Sequence, residues 1–324
     1  MIDAAIVGMG RWGRVLVESV QGKSEAIRFV AGCTRSPDKA ADWARTQGIR
    51  MLPDYDAVLA DPAVGAVVLA TPHSQHAGQV IAAARAGKQI FVEKPFTLTR
   101  ASAEQAVAAV RQAGVVMALG HNRRFLPAVA RLKRMIAEGA LGTLCHIEGN
   151  ISGPGALAYK PGMWRADPVE SPAGGLAGMG IHMLDMFQNL CGPLAEVSVV
   201  SHARVATNGL DDTTAALVRF GSGVTGTLTT LAAVPRLWRL QVFGSEAWVE
   251  MWGTDTLVVG CEGKPHERIR FEPTDLERAE LEAFAAACAG GPAYPLSLEE
   301  AVHSAAMFEA VARGARSPGW IAVP

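Results

Sequence analysis

The chain lacks what would mark a nucleic-acid binder, a disulfide scaffold or a membrane protein. Its formal charge is only −1 across 324 residues, with 30 basic and 31 acidic side chains. These interleave along the chain, so no basic face is available for a phosphate backbone or an anionic membrane surface. There are just five cysteines, Cys33, Cys145, Cys191, Cys261 and Cys288, and none forms a C-x-x-C pair. An odd number at wide spacing argues against a disulfide framework or zinc ribbon and favours free thiols in a reducing compartment. No apolar run approaches the roughly 18 residues needed to cross a bilayer. The amino terminus runs into a strand-like segment, Ala4–Val7, without the basic and apolar regions of a secretory leader. The expectation is a cytoplasmic protein with a small-molecule partner, engaging neither nucleic acid nor membrane.

What is present reads as two folded domains. With 49% hydrophobic residues, the chain carries enough apolar side chain for two cores. Short apolar runs at Ala4–Val7, Phe29–Cys33, Ala66–Ala70, Gln89–Val92 and Val115–Leu119 alternate with helix-like stretches at Gly13–Val20, Pro37–Gln47, His76–Ala86 and Ala101–Ala113. Continuous apolar strands between helices predict a parallel sheet covered on both faces. From Leu144 the texture changes. Strand-like runs follow at Leu144–Ile151, Val197–Ala203, Thr213–Phe220, Val224–Leu231, Trp238–Phe243, Trp248–Trp252 and Arg268–Phe271. Gly221-Ser222-Gly223 and Gly244-Ser245-Glu246 supply turns, and strands joined so tightly pair antiparallel. Helices are expected from near Gly180, over Leu276–Ala289 and over Leu298–Arg313. The predicted architecture is α/β: a doubly wound parallel-sheet domain of Rossmann type over residues 1–122, then an α+β domain over 123–324 built on a large, mostly antiparallel open sheet.

Gly8-Met9-Gly10-Arg11-Trp12-Gly13 is a G-x-G-x-x-G directly after the first strand and at the start of a helix. Such glycines permit a tight turn, close backbone approach to a pyrophosphate, and close helix–strand packing. The helix N-terminus adds free N–H groups and a favourable dipole. In this context the turn predicts dinucleotide binding through Gly8, Gly10, Arg11, Trp12 and Gly13, although a glycine-rich chain also produces purely structural turns. The next strand ends Cys33-Thr34-Arg35-Ser36, with no carboxylate at its tip to accept from a ribose 2′-hydroxyl. Thr34 and the planar guanidinium of Arg35 suit a 2′-phosphate, which favours NADP(H) over NAD(H). Against this stands the reading of Arg35 as a solvated loop residue.

Gln89–Val92 ends abruptly in Glu93-Lys94-Pro95. Ligands of open α/β sheets sit at the carboxyl ends of the strands, so Lys94 is directed towards the cofactor crevice. Its ammonium could stabilise negative charge developing on a substrate oxygen. The bland alternative is a surface ion pair at a strand end.

Taken together, Ala70-Thr71-Pro72-His73-Ser74-Gln75-His76, Ala86-Gly87-Lys88 and Glu93-Lys94-Pro95 resemble the signature of the glucose–fructose oxidoreductase / inositol dehydrogenase (Gfo/Idh/MocA) family. Asn122-Arg123-Arg124-Phe125 with Pro127, Trp164-Arg165 before a Gly-Gly pair, Asp211-Asp212-Thr213, and Tyr294–Ser297 through Gly319-Trp320 extend the likeness over the chain. The resemblance implies that Lys94 lies beside nicotinamide and substrate. It implies further that Thr71, Pro72, His76 and Glu93 belong to the cofactor side, and that Asn122, Trp164 and Arg165 contact substrate. A homodimer or homotetramer formed through the second domain's sheet is also implied. His73 and His76 have no third ligand cluster near them in sequence, so no metal is expected.

The resemblance continues after Gly174-Gly175, where the family pattern reads Asp-x-x-x-His-x-x-Asp. Its histidine falls on His182 and its last aspartate on Asp185, but its first aspartate falls on Gly178, a departure. A neutral imidazole can accept a carbinol proton near neutral pH while Lys94 polarises the same oxygen. Glycine at 178 enlarges the pocket and removes a negative charge; Asp167, Glu170 or an ordered water are the candidates to replace the missing group. His182 can also be read as a packed histidine beside Met183, Leu184 and Phe187, and Asp185 as structural.

The expected activity is therefore hydride transfer between NAD(P) and a secondary alcohol or carbonyl of a sugar, cyclic polyol or related ring compound, with Lys94 and His182 as the acid–base and oxyanion pair. Two other classes stay open. One is a redox-neutral lyase, hydrolase or epimerase that retains its cofactor; the other is a non-catalytic dinucleotide-binding regulator. Trp238 and Trp248 are expected in cross-strand packing or a subunit interface rather than in a ligand platform.

Overall fold

The structure, a computed structural model, describes residues 1–160 and 162–324. Two units separate: residues 1–122 with 275–302, and residues 123–274 with 303–324. The first begins β1 (Ile2–Val7), α1 (Arg11–Val20), β2 (Ile27–Cys33), α2 (Ala41–Thr46), β3 (Arg50–Met51) and α3 (Tyr55–Ala60). It continues β4 (Ala66–Leu69), α4 (His73–Arg85), β5 (Gln89–Glu93), α5 (Arg100–Ala113) and β6 (Met117–Gly120). All six strands run parallel, in the order β3-β2-β1-β4-β5-β6. That is the doubly wound order, and it places the switch point between the carboxyl ends of β1 and β4. Every residue of β4 is buried, as a strand covered on both faces requires. The sequence pattern missed β3, whose two residues pair with Ala31 and Gly32 and are too few to show a period.

The second unit opens with α6 (Pro127–Ala137) and β7 (Leu144–Ser152), then carries α7 (Ile181–Cys191). A run of strands follows: β8 (Leu194–His202), β9 (Thr213–Phe220), β10 (Thr225–Leu231), β11 (Leu237–Gly244), β12 (Ala247–Trp252), β13 (Thr256–Cys261) and β14 (Glu267–Arg270). With β15 (Trp320–Ala322) they form a nine-stranded sheet ordered β14-β13-β12-β11-β7-β10-β9-β8-β15. Among the described residues β7 pairs with β10 in parallel, and the other neighbours are antiparallel. Burial alternates along β9, with Thr214, Ala216, Val218 and Phe220 inward. Helix α7 covers the inner face. A Cβ on Gly149 would stand 2.8 Å from the Phe187 ring, so the glycine is what lets α7 approach β7. The outer face leaves Val200, Leu217 and Trp320 exposed. Trp248 faces Gly260 across the β12–β13 pair, its ring occupying the space a Cβ there would need.

The unit boundary differs from a single cut after Asn122. Helix α8 (Leu276–Cys288) returns to the first unit, where Leu281, Phe284 and Ala285 join the core of Ile6, Leu16, Phe91 and Ala118. Phe284 meets Phe91 edge-on with ring centroids 5.8 Å apart. The apolar stripe of α8 therefore decides its membership, against its place in the chain. Helix α9 (Leu298–Gly314) begins among residues counted with the first unit and ends among those of the second. No described helix is long and apolar enough to cross a membrane.

Candidate active site

The glycine turn after β1 is shaped by contacts that exclude side chains. Gly8 has φ +98°, and a Cβ there would lie 2.5 Å from the Ala70 carbonyl oxygen. A Cβ on Gly13 would lie 2.0 Å from the Gly8 oxygen. Gly10 is different, since a Cβ there would meet nothing within 4 Å, and it stands on the open side of the turn. Gly10 is also the N-cap of α1, and no side chain caps that helix. The first-turn N–H groups, including those of Arg11 and Trp12, are thus left for an anion. This is the cradle a pyrophosphate needs, at the switch point of the sheet, and the residues present fit a dinucleotide. Beyond β2, Thr34 is half-buried and Arg35 exposed, with no acidic side chain before Asp38.

The loops beyond β4 and β5 are tied together by one histidine. His76 is fully buried; its Nδ1 lies 2.9 Å from the Pro95 carbonyl oxygen and its Nε2 lies 3.1 Å from that of Thr71. A neutral imidazole donates to only one of two carbonyls at a time. Its two ring nitrogens thus join the Thr71-Pro72 turn to the Lys94-Pro95 turn through their carbonyls. The Thr71 hydroxyl donates to Gln79 Oε1 at 2.6 Å. His73 and His76 stack edge-on, with centroids 6.0 Å apart.

Lys94 is half-buried and follows the last residue of β5, while Glu93 turns inward. Burial pushes the Glu93 carboxyl up to about 7, and Glu277 adds to the rise. The Lys94 ammonium, the Trp12 indole N–H and the Lys94 backbone N–H work against it. Glu93 Oε1 and Trp12 Nε1 are buried short of hydrogen-bonding geometry with any described group, so the indole acts on the carboxyl as a nearby dipole. Gly120 gives the carboxyl its place, since a Cβ there would press on Oε1 at 3.0 Å. Asn122, expected to contact substrate, is buried and donates from Nδ2 to Glu277 Oε1 at 3.0 Å.

In the second unit Gly174, at φ +55°, lies so close to the Asp211 carbonyl that a Cβ would fall 2.0 Å from its oxygen. One π-helical turn, Leu176–Gly180, then leads into α7, which carries His182. Such turns re-aim the side chains that follow them and occur frequently at functional sites. His182 is 8% exposed. Asp185, one turn on, is fixed by Arg124: Nη2 and Nε lie 2.8 and 3.0 Å from Oδ1, with both side chains buried. Of the two readings of Asp185, its structural role is the one the geometry supports. Trp164 and Arg165 are half-buried and stacked, the guanidinium carbon 4.0 Å from the ring centroid.

Gly178 is exposed. Asp167 is exposed and accepts from the Val169 N–H at 2.9 Å, serving its own turn, while Glu170 is buried. Among the described residues Tyr159 borders Gly178, its hydroxyl 3.8 Å from where a Cβ at 178 would stand. No sequence spacing pointed to it. Lys94 belongs to the first unit and His182 to the second.

Comparison with known proteins agrees with this fold. Residues 2–121 match the oxidoreductase family with an NAD-binding Rossmann fold (GFO_IDH_MocA), and residues 129–250 match the GFO/IDH/MocA C-terminal domain. The chain is 32% identical over 264 residues to scyllo-inositol 2-dehydrogenase (NAD(+)) of Bacillus subtilis (strain 168), covering 78% of this chain and 72% of the relative. It is similar in fold to a crystal structure of a candidate NADPH-dependent oxidoreductase from Desulfitobacterium hafniense DCB-2, with a TM-score of 0.92 and 26% identity over 99% of this chain and 97% of that one. Levoglucosan dehydrogenase in complex with NADH and levoglucosan shares the fold at a TM-score of 0.88 and 23% identity, over 100% of this chain and 99% of that one. The glycine cradle, the two matched domains and the inositol dehydrogenase relative make this chain a member of the Gfo/Idh/MocA family of NAD(P)-dependent oxidoreductases.

Proposed function

We propose that the protein transfers hydride between NAD(P) and a secondary alcohol or carbonyl of a sugar, cyclic polyol or related ring compound. The observation that carries this reading is the emergence of Lys94 from β5 in the same sheet whose switch point bears the glycine cradle. When bound, the nicotinamide dinucleotide supplies the hydride acceptor or donor. Gly8, Gly10, Arg11, Trp12 and Gly13 hold its pyrophosphate, while Thr71, Pro72 and the Glu93-Lys94 step line its nicotinamide half. Lys94 donates from Nζ to the reacting oxygen and stabilises its negative charge. The His182 imidazole takes up the hydroxyl proton on oxidation and returns it on reduction. Trp164 and Arg165 contact the substrate. Lys94→Ala should lower kcat/KM by about 10²–10⁴ with cofactor affinity nearly intact, and unchanged turnover would remove Lys94 from the chemistry.

NADP(H) is the favoured cofactor. The absence of an acid at the tip of β2 and the exposed guanidinium of Arg35 support this choice. Arg35→Ala should raise the Kd for NADPH about tenfold more than that for NADH, the size of a charge-assisted contact. Equal effects would assign Arg35 to solvent. The outer face of the nine-stranded sheet, with Val200, Leu217 and Trp320 exposed, supports a homodimer or homotetramer. Light scattering that finds a monomer at micromolar concentration would count against it.

A further inference from the structure

A side chain from another segment stands beside the place that the family pattern gives to an aspartate. An aspartate grown on Gly178 would put its first carbon 3.8 Å from the Tyr159 hydroxyl. A second glycine flanks the same hydroxyl, since a Cβ on Gly155 would lie 3.7 Å from it. The phenol oxygen thus lies near two backbone positions that carry no side chain. Its own backbone is anchored. Ala156 N–H donates to the Ala232 carbonyl at 2.8 Å, and the Tyr159 N–H donates to the Ala156 carbonyl at 3.3 Å. Asn208 Nδ2 donates to the Ala156 and Tyr159 carbonyls at 3.0 and 3.4 Å. Gly178 lies about one turn upstream of His182 on the helical run that enters α7.

We propose that Tyr159 is the substrate-contacting, specificity-determining side chain at this position, and that it admits an oxygen lacking a hydrogen, such as an acetal, ether or carboxylate oxygen, beside the reacting carbon. The inference rests on the oxidoreductase reading above and narrows its substrate class. A carboxylate only accepts hydrogen bonds, so it demands a hydroxyl from the substrate and repels an anion. A phenol donates as well as accepts, and can pair with an acceptor-only oxygen. Replacing aspartate by a glycine–tyrosine pair therefore moves the site from free vicinal diols towards anhydro sugars and sugar acids.

Steady-state kinetics of the full chain with saturating NADP⁺ or NAD⁺ test this with three probes: myo-inositol, levoglucosan and D-glucuronate. Levoglucosan is neutral and glucuronate anionic, so the two arms separate an acetal from a carboxylate. The wild type should favour at least one of them over myo-inositol in kcat/KM. Tyr159→Phe removes one oxygen and should raise KM for the favoured probe about 5- to 10-fold, the worth of a neutral hydrogen bond or somewhat more, with kcat changed less than about threefold. Gly178→Asp lies at an exposed position without left-handed backbone, so it should fold, and it should shift preference at least about tenfold towards myo-inositol. Thermal unfolding and cofactor titration of both variants should match the wild type. KM values in Tyr159→Phe within twofold of wild type for every probe would overturn the proposal, as would an unchanged ranking in Gly178→Asp; either result leaves the oxidoreductase reading standing. A wild type that neither turns over nor binds any of the three by calorimetry would overturn that reading, and this proposal with it.

Discussion

Replacing Glu93 by glutamine keeps the shape of a buried side chain and removes its titration. In the folded protein this carboxyl titrates at about 7, against an ordinary value of 4.5, because burial outweighs the help of Lys94 and Trp12. Between those two values the folded chain holds a proton that the unfolded chain has released. The folded state then binds more protons, so stability falls as pH rises through this window and levels off above it. At 1.36 kcal/mol per pH unit, the whole effect is about 3 kcal/mol, of which about 2.5 kcal/mol falls between pH 5 and pH 8. Glu93→Gln lacks this term. It should gain about 2 to 3 kcal/mol on the wild type between pH 5 and pH 8, whatever its offset at pH 5. Other titrating groups cancel when the two proteins are subtracted at each pH. Because the chain has two units, the free energy should be read by urea-dependent hydrogen exchange in peptides of β5, which report on the unit that holds Glu93. A wild-type-minus-variant difference that stays flat from pH 5 to pH 8, or grows in the opposite sense, would refute the reasoning.

Three further outcomes are expected. Gly13→Ala should abolish detectable dinucleotide binding, because the added methyl would fall 2.0 Å from the Gly8 oxygen and force the turn apart; a calorimetric Kd within about threefold of wild type would contradict this. Asp185→Ala should cost about 3–5 kcal/mol by stranding the buried Arg124 guanidinium, seen as a large fall in the urea midpoint of the second unit, and a loss below about 1 kcal/mol would show the pair to be relaxed by water. His76→Phe should weaken cofactor binding and slow turnover together, because its ring nitrogens join the Thr71 and Pro95 carbonyls, and unaltered kinetics would deny it the bracing role.

The parallel, doubly wound character of the first sheet was legible because each of its longer strands is a continuous apolar run, and because β-α alternation admits few arrangements. What escaped was short or non-local. Two-residue β3 carries no period, and β13, an apolar run after the Gly253 turn, was not distinguished from its neighbours. Helix α8 was recognised as a helix yet assigned to the wrong domain. Amphipathicity shows that a face will be buried, not which core will receive it, and only the contact of Phe284 with Phe91 decides. Glu93 shows a related limit. A carboxylate at a strand end looks solvated in sequence, and its burial depends on Gly120 and Trp12, which lie far from it along the chain.

The two halves of the site differ in legibility for a physical reason. A pyrophosphate is recognised by backbone N–H groups, and backbone conformation is written into glycine spacing that any chain with this fold must repeat. Gly8 and Gly13 could be read because a methyl group at either collides with main chain rather than with a movable side chain. Substrate recognition has no such constraint. One hydroxyl or carboxylate at a given point can be supplied from any segment that reaches it, so loss of an aspartate at Gly178 does not reveal where the replacement comes from. Asp167 and Glu170 were natural guesses by chemistry and proximity in sequence. Tyr159 borders the position because its turn is hydrogen-bonded to Ala232, just past β10, and to Asn208, partners 76 and 49 residues away from Ala156 and Tyr159 respectively, read as 232 minus 156 and 208 minus 159. A family's cofactor can therefore be inferred from one segment, whereas its substrate is fixed by a juxtaposition that only the folded chain creates.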